Sequence, residues 1–111
     1  MGFRRIAKVD DNQKEIVEAL RKVGAYIVHT HQLKNAFDIL VSYRGKCVPM
    51  EIKDGDKLPK KFFDMPKSEK ATYLEGLLTD GEKECMNGFI ATGTKYAIVY
   101  DIDSAIMAIS R

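Results

Sequence analysis

Two carboxylates and a lysine are spaced so that one hairpin could bring them together. Residues 37–53, with the sequence FDILVSYRGKCVPMEIK, contain two runs of β-branched and aromatic residues separated by Arg-Gly. Such runs predict two antiparallel strands joined by a tight turn. Asp38 lies on the first strand, and Glu51 and Lys53 lie on the second. Because side chains alternate along a strand, Glu51 and Lys53 should point to the same face.

The turn fixes the register of the hairpin. A two-residue turn at Arg44-Gly45 sets Val41 opposite Val48 and Asp38 opposite Glu51, and a four-residue turn gives the same pairing. A three-residue turn would break it. Opposed residues have Cβ atoms ~4.5–5.5 Å apart, and two like charges at that distance destabilise the sheet unless something offsets them. A divalent cation such as Mg²⁺, which binds carboxylates, waters and phosphate oxygens, would offset them.

This arrangement suits phosphate chemistry. A metal held by Asp38 and Glu51 would polarise a phosphate and acidify a bound water. Lys53 would orient or deprotonate that water, or neutralise the charge that builds on phosphorus. Base chemistry would need surroundings that favour the neutral amine. The spacing leaves a second interpretation open, in which the hairpin faces solvent and Lys53 only pairs with a carboxylate.

A helix should precede the strands, over residues 12–23. Its apolar residues recur at helical spacing and make one stripe. Asn12 is a suitable N-cap, and Glu15 three residues later would complete a capping box. Gly24 suits the left-handed position that ends many helices.

The remaining segments predict a mixed α/β fold. Residues 54–68 hold two prolines and several charges and are interpreted as a loop, which is long for a compact domain and therefore functional or mobile. Residues 54–78 together are predicted to form a mobile basic insertion of loop and helix. Pro49 should lie at an edge or bulge. The order αβββαβα predicts a mixed central sheet flanked by helices. The further elements are strand 25–30, helix 68–78 with Ser68 as a cap, helical turns from Thr79, strand 95–102 and helix 103–110.

The composition suits one domain over residues 1–111. Hydrophobic residues make up 45% of the chain, enough for a core. No apolar run reaches the ~18 residues of a membrane span, and the N-terminal stretch lacks the features of a secretory signal. Cys47 and Cys85 have no paired spacing, so we interpret them as reduced thiols in a cytoplasm, with a disulfide as the less favoured alternative.

Positive charge is clustered although the net charge is only +2. Such clusters form either a phosphate-facing patch or a solvated surface. His29 and His31 should share one face of a strand, where a polar contact to DNA is a better interpretation than zinc. The lysine and arginine clusters are Arg4, Arg5 and Lys8, and Lys57, Lys60, Lys61, Lys67 and Lys70.

The pattern Asp38, then Glu51-Ile52-Lys53, resembles the D…E-x-K core of the PD-(D/E)XK nuclease superfamily. The chain resembles most closely the small phage and bacterial VRR-Nuc-like endonucleases, and is also similar to Holliday-junction resolvases. The likeness extends over most of residues 11–110 except 56–78, in the opening helix, the hairpin, and the final helix, strand and helix. Phe37 stands where that superfamily usually has proline.

The resemblance implies a restriction-endonuclease-like core and a metal-dependent DNA endonuclease, acting on duplex or branched DNA in a bacterial or phage-infected cytoplasm. Asp38, Glu51 and the Ile52 carbonyl would hold Mg²⁺, or Mn²⁺ in its place, and Lys53 would be catalytic. Many relatives add an acidic or amide residue from the first helix, for which Glu15 and Gln13 are candidates. Phosphate contacts are expected from Lys34, Lys57, Lys60, Lys61 and His31.

Two further expectations concern assembly and activity. Tyr73, Leu74, Leu77 and Leu78 form an apolar stripe that serves either the core or a homodimer interface. A two-fold dimer would offer two metal sites to two DNA strands. The competing hypothesis is a DNA-binding or assembly protein that keeps the nuclease fold without turnover. The presence of Asp38, Glu51 and Lys53 together argues against it.

Overall fold

The computed structural model describes residues 12–110, so Arg4, Arg5 and Lys8 lie outside the described residues. It is a mixed α/β fold in the predicted order, with the helical region before the last strand divided into two helices. The helices are α1 (Gln13–Lys22), α2 (Lys67–Glu75), α3 (Asp80–Ala91) and α4 (Ile102–Ile109). The strands are β1 (Tyr26–His29), β2 (Ile39–Tyr43), β3 (Lys46–Ile52) and β4 (Ala97–Val99).

The sheet has the strand order β1-β2-β3-β4, in which the first three strands are antiparallel and β4 runs parallel to β3. The predicted hairpin register is confirmed, with Val41 opposite Val48 and Tyr43 opposite Lys46. Arg44 and Gly45 have φ angles of 49° and 81°. Positive φ at both turn residues is what a two-residue hairpin with the right-handed strand twist requires.

Pro49 lies in an interior strand, not at an edge or bulge as predicted. It is opposite Leu40 on β2, whereas β4 begins to pair with β3 only at Met50. Leu40–Pro49 is a non-hydrogen-bonded pair of the hairpin, because such pairs alternate from the turn. The missing N–H of Pro49 therefore faces the side where β4 has not yet begun.

One face of the sheet packs on α1 and α4 and holds the main core. The core residues of β3 and β4 alternate with residues of the opposite face, so Met50, Ile52, Ala97 and Val99 point towards α1 and α4. The apolar stripe predicted for the first helix at Ile16, Ala19, Leu20 and Val23 is confirmed only in part, because Val23 is exposed and Val17 is buried in the core instead. The helix residues of the core are Ile16, Val17, Leu20, Ala105 and Ile109.

The opposite face carries a second apolar layer from residues 62–89. Phe62 is fully buried, and its ring contacts Tyr100 of the segment after β4 at 5.1 Å. Leu74 and Leu78 are buried as core residues, whereas Leu77 is exposed. The stripe is thus mainly packed within the chain.

Residues 54–68 are not the irregular loop that the sequence predicts. They contain the 3₁₀-helices Gly55–Lys57 and Lys60–Asp64, and α2 begins after Pro66. The predicted cap at Ser68 is wrong, because that residue lies inside α2. A buried phenylalanine in the second 3₁₀-helix supplies the packing that composition alone does not reveal.

Asn12 does not cap α1 with its side chain, so the predicted capping box with Glu15 is wrong. The Asn12 amide instead donates to the carbonyls of Lys53 and Tyr100, each at 3.0 Å. It thereby fastens the start of α1 to the ends of β3 and β4. The left-handed Gly24 after α1 is confirmed, with φ of 100°.

Candidate active site at the end of the third strand

Glu51 is a buried carboxylate in an interior strand. Only 6% of its surface is exposed, although the flanking Met50 and Ile52 already fill the core on the other face of the sheet. The Lys53 ammonium lies 3.4 Å from Glu51 Oε2, on the same face. The predicted pairing of these two residues on one face is confirmed.

Asp38 also lies near Glu51, but it is not paired directly opposite Glu51 as the predicted register requires. Regular pairing ends at Ile39–Met50, and the Asp38 N–H donates to the Met50 carbonyl at 3.0 Å. The Asp38 carboxylate accepts the main-chain N–H of Ile52 at 2.7 Å. Since the N–H and C=O of a strand residue point to the same side, the Ile52 carbonyl also faces Asp38.

The pKa of Glu51 is raised, because the positive charge of Lys53 only partly offsets burial and the neighbouring carboxylates. Burial, the nearby Asp38 and the more distant Glu82 raise the pKa of Glu51 to about 8, against an ordinary value of 4.5. Lys53 acts in the opposite direction but does not cancel them. A cation bound beside Glu51 would favour its charged form.

Glu82 is a neighbour that the sequence did not indicate. It is the third residue of α3, where its carboxylate accepts the Thr79 N–H at 3.0 Å in a capping box. The local pattern Thr-x-x-Glu indicates only that cap. Its charge nevertheless acts on Glu51, Cys85 and Tyr96. Burial is the largest cause of the raised pKa of the Cys85 thiol and of the Tyr96 hydroxyl, followed by the charge of Glu51, and Glu82 adds a smaller effect.

The first helix turns Gln13, and not Glu15, towards the protein interior. Gln13 is 3% exposed, its Nε2 lies 3.5 Å from His29 Nδ1, and its Oε1 has no hydrogen-bond partner. Glu15 is exposed to solvent. The geometry thus favours Gln13 for the first-helix position that the sequence assigned first to Glu15.

The residues predicted to contact DNA lie at the surface or near it. Lys34, Lys57, Lys60 and Lys61 are exposed. His31 is half-buried, its Nδ1 has no hydrogen-bond partner, and its ring lies 6.1 Å from that of His29 in an edge contact. The two rings are neighbours, but β1 ends at His29, so His31 lies in the turn that follows and not on one strand face with His29 as predicted. Their role in DNA binding stays a prediction.

The donor set determines how a metal could be held. Among residues 12–110, no three His, Cys, Asp or Glu side chains are close enough to hold a metal by themselves. The carboxylates of Asp38 and Glu51 and the main-chain carbonyl of Ile52 are present instead. Mg²⁺ is typically bound through one or two carboxylates, with waters and phosphate oxygens completing its shell. The residues present fit such an ion.

Cys47 and Cys85 are not bonded to each other, and their reduced state stays a prediction. In the described part of the chain, no helix is long and apolar enough to cross a membrane.

Comparison with known proteins identifies the fold. No protein-family model and no curated protein sequence matches the chain. A solved structure described as a VRR_NUC domain matches 89% of this chain and 90% of its own, with a TM-score of 0.55 and 17% identity. The chain therefore has the VRR_NUC fold, which is restriction-endonuclease-like, and the predicted fold class is confirmed.

Proposed function

We propose that this chain, which has the fold of a VRR_NUC nuclease domain, is a metal-dependent endonuclease that hydrolyses DNA phosphodiester bonds. The observation that carries the proposal is the placement of Glu51. A buried carboxylate with a second carboxylate beside it is unfavourable for the fold by itself, and Lys53 offsets this only in part. It becomes favourable when a divalent cation and a phosphate complete the site.

Asp38, Glu51 and the Ile52 carbonyl would hold Mg²⁺, with Mn²⁺ able to replace it. Gln13 would contribute from α1, in place of Glu15. When bound there, the cation supplies charge that polarises the scissile phosphate and acidifies the attacking water.

The protein side chains have separate roles. Lys53 would orient the attacking water or stabilise the charge that develops on phosphorus, since its ammonium already lies on the Glu51 face. Asp38 is held in place by the Ile52 N–H, which fixes its carboxylate before any ligand arrives. Such fixed orientation removes reorganisation from the reaction step.

DNA would approach across the exposed lysines. Lys34, Lys57, Lys60, Lys61 and the half-buried His31 would contact phosphates, which position the DNA without reading its sequence. Binding should weaken steeply with salt. We propose duplex or branched DNA, including Holliday junctions, as substrate, and a homodimer that offers two sites to two strands. The setting would be a bacterial or phage-infected cytoplasm.

Cleavage of a labelled panel tests the proposal. Single-stranded DNA, duplex, flap and four-way junction are incubated with Mg²⁺ or Mn²⁺ and with wild type, Asp38→Ala or Lys53→Ala. Lys22→Ala, a surface lysine at the end of α1, is the matched control. Metal-dependent cutting that both site variants lose and the control keeps supports the nuclease. Binding without cutting of any substrate would instead favour a DNA-binding protein that keeps the fold without turnover.

A further inference from the structure

One aromatic side chain on the segment after β3 is held in place and left open to solvent. Phe63 is 46% exposed, although its ring contacts those of Phe62 at 5.2 Å and Tyr100 at 6.1 Å. The neighbouring Phe62 is fully buried and also contacts Tyr73. Phe63 therefore belongs to a packed aromatic cluster, and the exposed part of its side chain takes no part in the core.

The sheet register places this ring close to the catalytic lysine. Ile52 pairs with Val99, and the Lys53 N–H donates to the Val99 carbonyl at 2.8 Å. Since Ile52 and Val99 both point into the core, Lys53 and Tyr100 lie side by side on the opposite face. The backbones of Lys53 and Tyr100 are thus one strand spacing of ~4.8 Å apart, and the Tyr100 ring in turn contacts Phe63.

The backbone after Lys53 supports this position. A Cβ added to Gly55 would lie 2.6 Å from the Tyr100 carbonyl oxygen, so the chain passes directly over Tyr100 as it leaves β3. Asn12 binds the Lys53 and Tyr100 carbonyls together. The aromatic cluster of Phe62, Phe63 and Tyr100 and the end of β3 are thus parts of one packed unit.

The charge around Phe63 indicates the ligand. Residues 57–70 hold five lysines and two acidic residues. Lys60 and Lys61, immediately before the two phenylalanines, are exposed. Exposed aromatic rings among lysines are the surface on which single-stranded nucleic acids bind, because each base can stack on a ring while its phosphates meet the cations.

We propose that Phe63 is a stacking platform for an unpaired base next to the cleaved phosphate, so that the enzyme prefers DNA with an unpaired or splayed segment there. Bases within a duplex already have both faces covered and cannot stack on the ring. This inference rests on the proposed DNA-cleaving function and names its substrate class.

The test measures binding without metal, so that no DNA is cut. Splayed-arm DNA carries the fluorescent base 2-aminopurine in the unpaired arm, one to four nucleotides from the branch, and blunt duplex serves as the comparison DNA. Wild type should quench the base on stacking and bind the splayed DNA more tightly than the duplex. Phe63→Leu should lose the quench and weaken splayed-arm binding roughly five- to 100-fold, the range for one lost base–aromatic stack. Phe63→Trp should keep both.

Two controls separate stacking from other effects. Tyr26→Leu removes an aromatic ring that is 70% exposed on the far edge strand β1 and should change neither readout. Lys60→Ala should weaken splayed and duplex DNA alike and reduce the salt dependence, since it removes a phosphate contact. Phe63→Leu should leave the salt dependence unchanged.

The outcomes distinguish this inference from the nuclease proposal. Unchanged splayed-arm binding in Phe63→Leu, or equal loss for splayed and duplex DNA, would overturn the platform even if the wild type cuts DNA. Conversely, a Phe63-dependent quench without any metal-dependent cutting would support the platform and remove the nuclease. Wild type that binds none of these DNAs would overturn both.

Discussion

The Asp38 carboxylate accepts the main-chain N–H of Ile52 at 2.7 Å, and this hydrogen bond joins the start of β2 to the end of β3. Asp38 therefore has two effects. It forms this hydrogen bond, and it adds negative charge beside Glu51. The hydrogen bond holds the Asp38 carboxylate where its charge contributes to the raised pKa of Glu51. The candidate active site is thus built in advance of any ligand.

Two substitutions at Asp38 separate these roles. Asp38→Asn keeps an oxygen that can accept the Ile52 N–H and removes the like charge beside Glu51. Asp38→Ala loses the hydrogen bond as well, so it should be less stable than Asp38→Asn by about 1–3 kcal/mol in denaturant unfolding. Calorimetric titration should show that both lose Mg²⁺ binding. Equal stability of the two variants would mean that the Ile52 hydrogen bond contributes nothing.

The raised pKa of Glu51 predicts how stability depends on pH in the absence of metal. Folding raises this pKa from 4.5 to about 8, so the folded protein holds a proton that the unfolded chain has lost. The contribution of Glu51 to stability is therefore fully present below pH 4.5 and is lost as the pH rises through about 8. Thermal melts between pH 5 and 9 should show the decline.

Glu51→Gln provides the comparison for that pH dependence. Its melting temperature should fall less between pH 5 and 8, because glutamine does not titrate. Mg²⁺ or Mn²⁺ at pH 8 should raise the melting temperature of the wild type and not of this variant. Parallel pH curves for the two proteins would show that another group is responsible.

Lys53 should matter far more for turnover than for folding. Lys53→Met keeps the apolar stem but removes the cation, and cleavage should fall by roughly 10²–10⁴-fold at saturating metal. Because Lys53 lowers the pKa of Glu51, its loss should also move the metal-free pH transition of stability upward. The rate is measured in single-turnover cleavage with Lys22→Met as control. A loss below tenfold would exclude a role in the reaction step.

Substitutions of Asn12 test whether its side chain stabilises the protein through the Lys53 and Tyr100 carbonyls or as a helix cap. Its amide donates to the Lys53 and Tyr100 carbonyls, so Asn12→Ala should lower the free energy of unfolding by about 1–3 kcal/mol. Asn12→Asp should be worse than Asn12→Ala, because a carboxylate cannot donate to those carbonyls. A true N-cap would give the reverse order, since aspartate caps helices well. Urea unfolding of the three proteins decides between them.

The segment 54–78 was predicted to be a mobile basic insertion, and its mobility stays a prediction. Phe62 is fully buried, so Phe62→Ala should destabilise the protein by about 3–5 kcal/mol. Phe63→Ala should destabilise the protein less, because almost half of the Phe63 side chain is already exposed to solvent. Limited proteolysis would show whether the segment opens locally in the first variant. Equal stability of both variants would mean that Phe62 does not anchor the segment.

The sequence predicted the parts of the fold that depend on local patterns. The hairpin register follows from a two-residue turn and alternating side chains, and the first helix from its apolar stripe. For that reason Glu51 and Lys53 could be placed on one face without the structure. The ends of the helices were predicted less well. Asn12 is a residue type that often caps helices, but its side-chain amide donates to the Lys53 and Tyr100 carbonyls instead.

Other relationships depend on residues far apart in the chain, and only the tertiary structure decided them. Whether Gln13 or Glu15 faces inward depends on how α1 rotates against the sheet. The approach of Glu82 to Glu51 depends on how α3 packs on the opposite face, and the Asp38–Ile52 hydrogen bond depends on where regular pairing stops. The sequence alone determined which chemical groups share a strand. Packing between distant elements determined how deeply Glu51 is buried, and burial is the largest cause of its raised pKa.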